Sequence, residues 1–478
     1  MNETAEAQRA APGRGLPPGR ILPVVLATAL VVCLVVTGSV VWREHERASA
    51  QERVAVAHRL ALHAAELRDD DPVRARDLGL AAVKIHADEQ TRAGLIDTLV
   101  MGSRTDVYSL APSGVDWVAL SGDGRIALTG DTDGVGVWDL RTWLDPEVAF
   151  TDKADRLAVL KGNKKGVSTL VLSFDGRTAL IGGEDGSTIV WNLTDPAHPA
   201  RLATLPGEPE DDFANSVQDL ALTRDARIAM TADFSGNIMV WDLASPSRPV
   251  RLSITKAHGS YVQDVTLSAD GRTAVTAGED RSAIVWDLAD PARPVKRADL
   301  ALPADYAEAT AMSADGRTIV VANSQRADVW RLDDRTHPTH TATLDLPPTD
   351  MYDVALTPDG KTALMAGSSG TGFLWDLSDP ARPVRLANLK GYTQEIISVA
   401  LSADGRVALM TSPDRGLSLW NLADLREIVA DPVETLCRSM PGRQTISRAD
   451  WIRFAGGADW SDYGEDPVTG NLSICFIR

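Results

Sequence analysis

VQDVTLSADGRTAVTAGEDRSAIVWDL, residues 262–288, decides the fold, because the chain writes this stretch seven times. The other copies run 115–140, 167–193, 217–243, 309–332, 352–377 and 397–422. Each holds an acidic residue followed by Gly or Ala (Asp123, Asp175, Asp225, Asp270, Asp315, Asp359, Asp404), and each holds a tryptophan (Trp138, Trp191, Trp241, Trp286, Trp330, Trp375, Trp420). Successive tryptophans lie 53, 50, 45, 44, 45 and 45 residues apart. Within the quoted copy, VTLS and TAVTA alternate apolar with small polar residues, as a pleated segment with two faces requires, and Ala269-Asp270-Gly271 supplies the tight turn between them. AIVW reads as a third strand. A Pro-rich connector follows (Asp290-Pro291-Ala292-Arg293-Pro294, Asp379-Pro380-Ala381-Arg382-Pro383), and a short apolar run such as Val384 to Leu389 gives a fourth.

One such sheet cannot bury both faces alone, so neighbouring copies must stack around an axis, and the period is that of four-stranded propeller blades. These residues resemble the WD-repeat family of β-propellers over roughly 105–422. The Trp-Asp pair stands at Trp138-Asp139, Trp241-Asp242, Trp286-Asp287 and Trp375-Asp376, while Trp191-Asn192, Trp330-Arg331 and Trp420-Asn421 depart from it. The expected fold is mainly β, a seven-bladed propeller. The resemblance further implies a hydrogen-bonded tetrad of His, Ser or Thr, Asp and Trp in each blade. Only the fourth copy has all four members, His258, Thr276, Asp280 and Trp286. Copies two and seven keep the turn Asp (Asp185, Asp414) without a matching His, and copies three, five and six carry Ser235, Ser324 and Ser369 there. A polar chain stabilises only when its members are satisfied, so blade four is expected to be the stiffest and blades five and six the most adaptable.

Outside the repeats the chain changes character. Residues 1–20 are rich in Ala, Pro, Gly and Arg and read as a disordered tail. Residues 21–42, ILPVVLATALVVCLVVTGSVVW, hold no charge and suffice to cross a bilayer core of about 30 Å, so they read as a membrane span. A cleaved signal peptide ending near Ala48-Ser49-Ala50 is the competing reading, opposed by the length of the apolar run and the charges that follow it. Arginines flank the segment on both sides (Arg9, Arg14 and Arg20; Arg43, Arg47, Arg53 and Arg59), so they set no orientation. Residues 43–104 show helical spacing, with Val54, Ala57, Leu60, Ala61, Ala64 and Leu67 on one face and Asp71-Pro72 restarting a helix. They read as a stalk packed on the propeller rim or as a docking helix. Residues 105–110, TDVYSL, match an outer strand and are expected to complete the seventh blade.

Residues 423–478 are not a blade. Asp431-Pro432 opens one short helix there and Ser447 caps another. Cys437 and Cys475 bracket this extension as a disulfide or as two free thiols; the bonded form places the propeller on the oxidising, extracytoplasmic side. The whole arrangement also resembles the C-terminal part of bacterial STAND-type signalling ATPases, in which span, helices, propeller and Cys-ending tail follow an NTPase module. Only twenty residues precede the apolar segment here, and no G-x-x-x-x-G-K-[ST] is present, so the resemblance implies the receptor-like half alone.

No G-x-S-x-G, H-E-x-x-H or C-x-x-C occurs, and neither cofactor nor catalysis is expected. His337-Pro338-Thr339-His340, read as a connector, lacks a third metal ligand, and Glu208-Pro209-Glu210-Asp211-Asp212 lacks the spacing of a Ca²⁺ loop. A net charge of −18 argues against nucleic acid as a partner. The family's contact positions fall on Asp116, Gln218, Tyr261, Gln263, Tyr306, Glu308, Asp350, Tyr352 and Glu395. Aromatic and acidic together, they suit a Lys- or Arg-bearing protein or peptide partner, against the plainer reading of a solvated rim. A channel site for a metal or small molecule is the rival function. It needs carboxylates or histidines on the innermost strands, where Val118, Leu170, Leu220, Val265, Val354 and Val399 read as apolar.

Overall fold

The computed structural model describes residues 43–101, 104–107, 115–131, 134–141, 155–161, 165–208, 216–302, 306–324, 326–333, 337–414, 416–439, 445–456, 458 and 472–473. Seven four-stranded antiparallel sheets make up most of it. In the fourth, Val262–Leu267, Thr273–Gly278, Ser282–Asp287 and Val295–Leu300 pair in chain order. The first strands of successive sheets pack side by side in a circle, which Trp117–Leu120 closes by lying against Ser398–Leu401.

The repeated acidic residue has one local task. In all seven copies its carboxylate accepts a hydroxyl from two residues upstream, from Ser121–Asp123 (2.7 Å) through Ser268–Asp270 (2.7 Å) to Ser402–Asp404 (2.7 Å). That bond and the positive φ of the next residue close the turn joining strands one and two. The second strand is then sandwiched between neighbouring sheets. Thr273–Gly278, Thr318–Asn323, Thr362–Gly367 and Val407–Ser412 are buried throughout. Each buried Val, Leu or Ile in this layer contributes about 1.5–3 kcal/mol relative to exposure.

The seventh sheet takes its outer strand from the other end of the chain. Arg104–Val107 pairs antiparallel with Leu417–Trp420, joining the start of the propeller to its last blade. Of the expected strand 105–110, residues 108–110 lie outside the described residues.

Among the described residues six helices lie outside these sheets: α1 (43–66), α2 (Pro72–Ile85), α3 (Glu89–Met101), α4 (Leu425–Ala430), α5 (Pro432–Ser439) and α6 (Arg448–Phe454). Their caps follow from single side chains. Asp71 accepts the amide of Arg74 (3.0 Å), Asp88 that of Thr91 (2.8 Å) and Ser447 that of Asp450 (3.1 Å). Val56, Leu60, Leu78 and Leu95 share one core with Leu436, Ile446, Trp451 and Phe454, so the segments on either side of the propeller form one helical body. The opposite side of α3 docks on the propeller: Ile96 and Val100 pack with Leu389, Trp420 and Ile428, and Asp97 accepts the amide of Asn388 at 2.9 Å.

Residues 21–42 lie outside the described residues, and among the described residues no helix is long and apolar enough to cross a membrane. Cys437 on α5 is disulfide-bonded, and Cys475 lies outside the described residues.

Candidate functional site

The innermost strands do not follow a simple period of two. Blade two slips between Val167 and Thr169, and in blades three to six the register likewise slips once near the strand start, between Val217 and Asp219, Val262 and Asp264, Ala307 and Ala309, and Met351 and Asp353. In blades three to six Gln218, Gln263, Glu308 and Tyr352 are the extra residues. A bulge of this kind re-aims side chains. All four line a central cavity of about 530 Å³, together with Asp219, Asp264, Asp353 and Glu395.

The expectation of an apolar inner wall is therefore corrected. Val118, Leu170, Val265 and Val399 do face the cavity, but the bulges bring three aspartates there as well. Each aspartate straps one blade to the next. Asp219 accepts the amide of Val265 (2.9 Å), Asp264 that of Thr310 (2.9 Å), and Asp353 that of Val399 (2.8 Å). Loss of solvent pushes the Asp219 carboxyl up to about 7 and that of Asp264 well above the usual carboxylate range, with the other channel aspartates adding to the rise. Burial raises Asp353 too. Among the described residues no three His, Cys, Asp or Glu side chains are grouped so as to hold a metal ion.

The far end of the axis is lined mostly by apolar side chains. There Leu120, Leu172, Leu267 and Leu401 help to line a separate cavity of about 220 Å³, and the Arg224 guanidinium lies 3.7 Å from the centre of the Phe174 ring.

Around the acidic end stands an arc of aromatic rings. Phe234 stacks on Tyr261, with centroids 4.8 Å apart and planes within 5°. Arg281 lies over Tyr306 at 5.5 Å, and Tyr306 and Tyr352 are 40% and 41% exposed. Burial, then Glu279, raises the Tyr261 hydroxyl; burial, then Asp350 and Glu279, raises Glu308. Of the residues expected at a docking face, Gln218, Gln263, Glu308, Tyr352 and Glu395 line the cavity. Tyr261, Tyr306 and Asp350 stand beside it: Glu308 and Tyr306 add to the rise of the Tyr261 hydroxyl, and Asp350 to that of Glu308. Asp116 is not among the lining residues; its amide pairs with Gly130 at 3.0 Å. Phe234 was not foreseen, and its position two residues before Gly236 in a turn gave no sign of the stack.

The fourth blade's tetrad is continuous. His258 meets Thr276 through Nε2 (2.7 Å) and Asp280 through Nδ1 (3.0 Å), and the Trp286 indole donates to Thr276 (3.0 Å). Burial holds His258 below its usual value against the pull of Asp280. Burial raises Asp280, but donations from Ser282, Gly259 and His258 outweigh it and leave the carboxyl low. Other blades improvise. Trp420 donates to the Tyr392 hydroxyl (3.1 Å), and Asp233 takes both the backbone and side-chain N–H of Asn237 (2.8 and 3.0 Å). The buried indole N–H groups of Trp191, Trp330 and Trp375 have no protein acceptor among the described residues. His340, read from sequence as part of a connector, lies on the strand Thr339–Leu344 and bonds the buried Asp328 at 2.9 Å. Glu208 ion-pairs with Arg251.

Comparison with known proteins agrees with this geometry. The WD domain, G-beta repeat family matches residues 154–192 and 250–287. A chain of the solved Mitotic Checkpoint Complex aligns over 66% of this chain and 90% of its own length, with a TM-score of 0.54 and 15% identity, a likeness of fold. The chain carries WD40 repeats folded as a seven-bladed β-propeller. A segment of 87 residues, 18% of this chain, is 44% identical to part of the NAD(+) hydrolase ApTIR of an Actinoplanes species. That segment is 12% of the relative's length.

Proposed function

We propose that the chain is a non-catalytic interaction or sensing scaffold that takes a Lys- or Arg-bearing protein or peptide segment at the acidic mouth of blades three to seven. One observation carries this reading: Glu308 and Glu395 open onto a cavity of about 530 Å³ beside exposed Tyr306 and Tyr352. Aromatic rings supply contact area at low entropic cost, and the carboxylates supply complementary charge.

Residues 21–42 anchor the chain to a membrane in this proposal, and a Cys437–Cys475 bond places the propeller on the extracytoplasmic side. Protease accessibility in intact and lysed cells tests that placement; protection in intact cells refutes it.

The docking test uses fluorescent Arg- and Lys-containing peptides against the full chain. Replacing Tyr261, Tyr306 and Tyr352 together by Ala should weaken binding by at least about tenfold. Undiminished binding rejects the face. A small basic ligand in the channel is the second reading, favoured by Asp219, Asp264 and Asp353. Under that reading a polyamine binds stoichiometrically and the triple Tyr replacement leaves its affinity unchanged.

A further inference from the structure

Arg281 occupies a backbone position that blades two, three and six give to glycine. Its φ is +68°, and the matching turn residues in blades two, three and six are Gly186 (+77°), Gly236 (+82°) and Gly370 (+63°). The turn is the same in each case: Arg281 N–H donates to Gly278 O at 3.1 Å, as Gly186 does to Gly183 at 3.0 Å and Gly236 to Asp233 at 3.1 Å. An L side chain in this region is strained, so a large one kept there calls for a use. The use is visible in where the guanidinium goes. It lies over the Tyr306 ring at the rim of the acidic mouth, and among the described residues it enters no ion pair, although Glu279 and Glu308 belong to the same face.

Resting on the docking reading above, we infer that Arg281 reads a carboxylate on the bound segment, so that the partner presents a basic side chain to the channel and an Asp, Glu or terminal carboxylate to Arg281. A guanidinium stacked on an aromatic ring keeps its donor fork fixed, and that fork matches a carboxylate with two parallel hydrogen bonds. The acidic surroundings repel an anion elsewhere on this face, so Arg281 sets the spacing between the two charges of the ligand. An all-basic segment satisfies the channel mouth and leaves Arg281 unused.

The test is an array of nine-residue Gly/Ser peptides holding one Arg, with Asp, Asn or Gly placed one to five positions away, probed with the detergent-solubilised full chain and with Arg281→Gly. Glycine suits the turn, so the variant keeps the fold. At one spacing the unmodified chain should bind the Asp peptide about tenfold more tightly than the Asn peptide, and Arg281→Gly should erase that difference while still requiring the Arg. Equal binding of Asp and Asn peptides by the unmodified chain overturns the inference and leaves the docking face standing. Binding that does not depend on the peptide Arg overturns both.

Discussion

Blades four and five solve the same burial problem with opposite polar arrangements. In blade four Thr276 sits between His258 and Trp286, and the His258 side chain is fully buried. In blade five the matching residue is Val321, Trp330 finds no acceptor, and the polar groups lie further out. There Asp328 replaces the Ile284 of blade four and bonds His340 (2.9 Å), Thr343 (2.6 Å) and, as an ion pair, Arg326 (2.9 Å). The Asp328 side chain is wholly buried, but those of Arg326 and His340 are 34% and 41% exposed. One network is sealed at His258; the other is vented to water at two of its members. A sealed chain cannot lose a link without stranding its neighbours, whereas a vented one can turn to solvent.

The largest expected effect follows from that difference. Thr276→Val removes the shared hydroxyl, leaving His258 Nε2 and the Trp286 indole unsatisfied in a dry core, and should cost about 3 kcal/mol. Asp328→Ile copies blade four's own residue, and its partners can reach water, so the cost should stay within about 1 kcal/mol. Urea denaturation of both variants measures the contrast. Equal losses would show that burial of the polar chain is not what separates the blades.

The sequence made some of this legible and hid the rest for a physical reason. Turn signals act within a few residues, so the Asp-Gly steps, the seven tryptophans and the Asp71 and Ser447 caps read directly from spacing. His258, Thr276, Asp280 and Trp286 were visible because the repeat fixes their register. The bulges were not, since a one-residue slip depends on the partner strand; with them went the inward turn of Asp219, Asp264 and Asp353. Tyr392 replacing a histidine under Trp420, and the shared core of Leu60 and Trp451, are likewise contacts between distant parts of the chain. No local pattern announces them.

A smaller effect should appear as a pH dependence with two opposed limbs. Burial lowers His258, so the unfolded chain binds that proton more readily than the folded one, and stability falls as pH drops below the ordinary histidine value of 6.5. The channel aspartates act in the other direction. Their folded values lie above the ordinary 3.8, so their contribution is fully present below that pH and is lost as pH rises toward the value of about 7 reached by Asp219. Asp219→Asn should flatten the alkaline limb alone, and His258→Gln the acid limb alone. Denaturation midpoints at pH 5, 6.5 and 8 resolve the two; a single variant that flattens both limbs would mean that channel and tetrad titrate as one unit.

The smallest effect tests whether the strain at Arg281 is special. Ala226 is the other described non-glycine residue with positive φ, at +57°, in the turn joining strands one and two of blade three, where the other six blades have Gly at +67° to +73°. Left-handed backbone costs an alanine about 1–2 kcal/mol. Glycine returns about 0.4–1 kcal/mol of that through the greater freedom of the unfolded chain. Ala226→Gly should therefore stabilise the propeller by about 0.5 kcal/mol, read as a raised urea midpoint with an unchanged slope, and should leave peptide binding untouched because the turn lies at the apolar end of the axis. Arg281→Gly should stabilise by a similar amount and alter peptide choice. If neither variant stabilises, positive φ at these turns carries no cost here, and the glycine comparison loses its force as a sign of function in blade four.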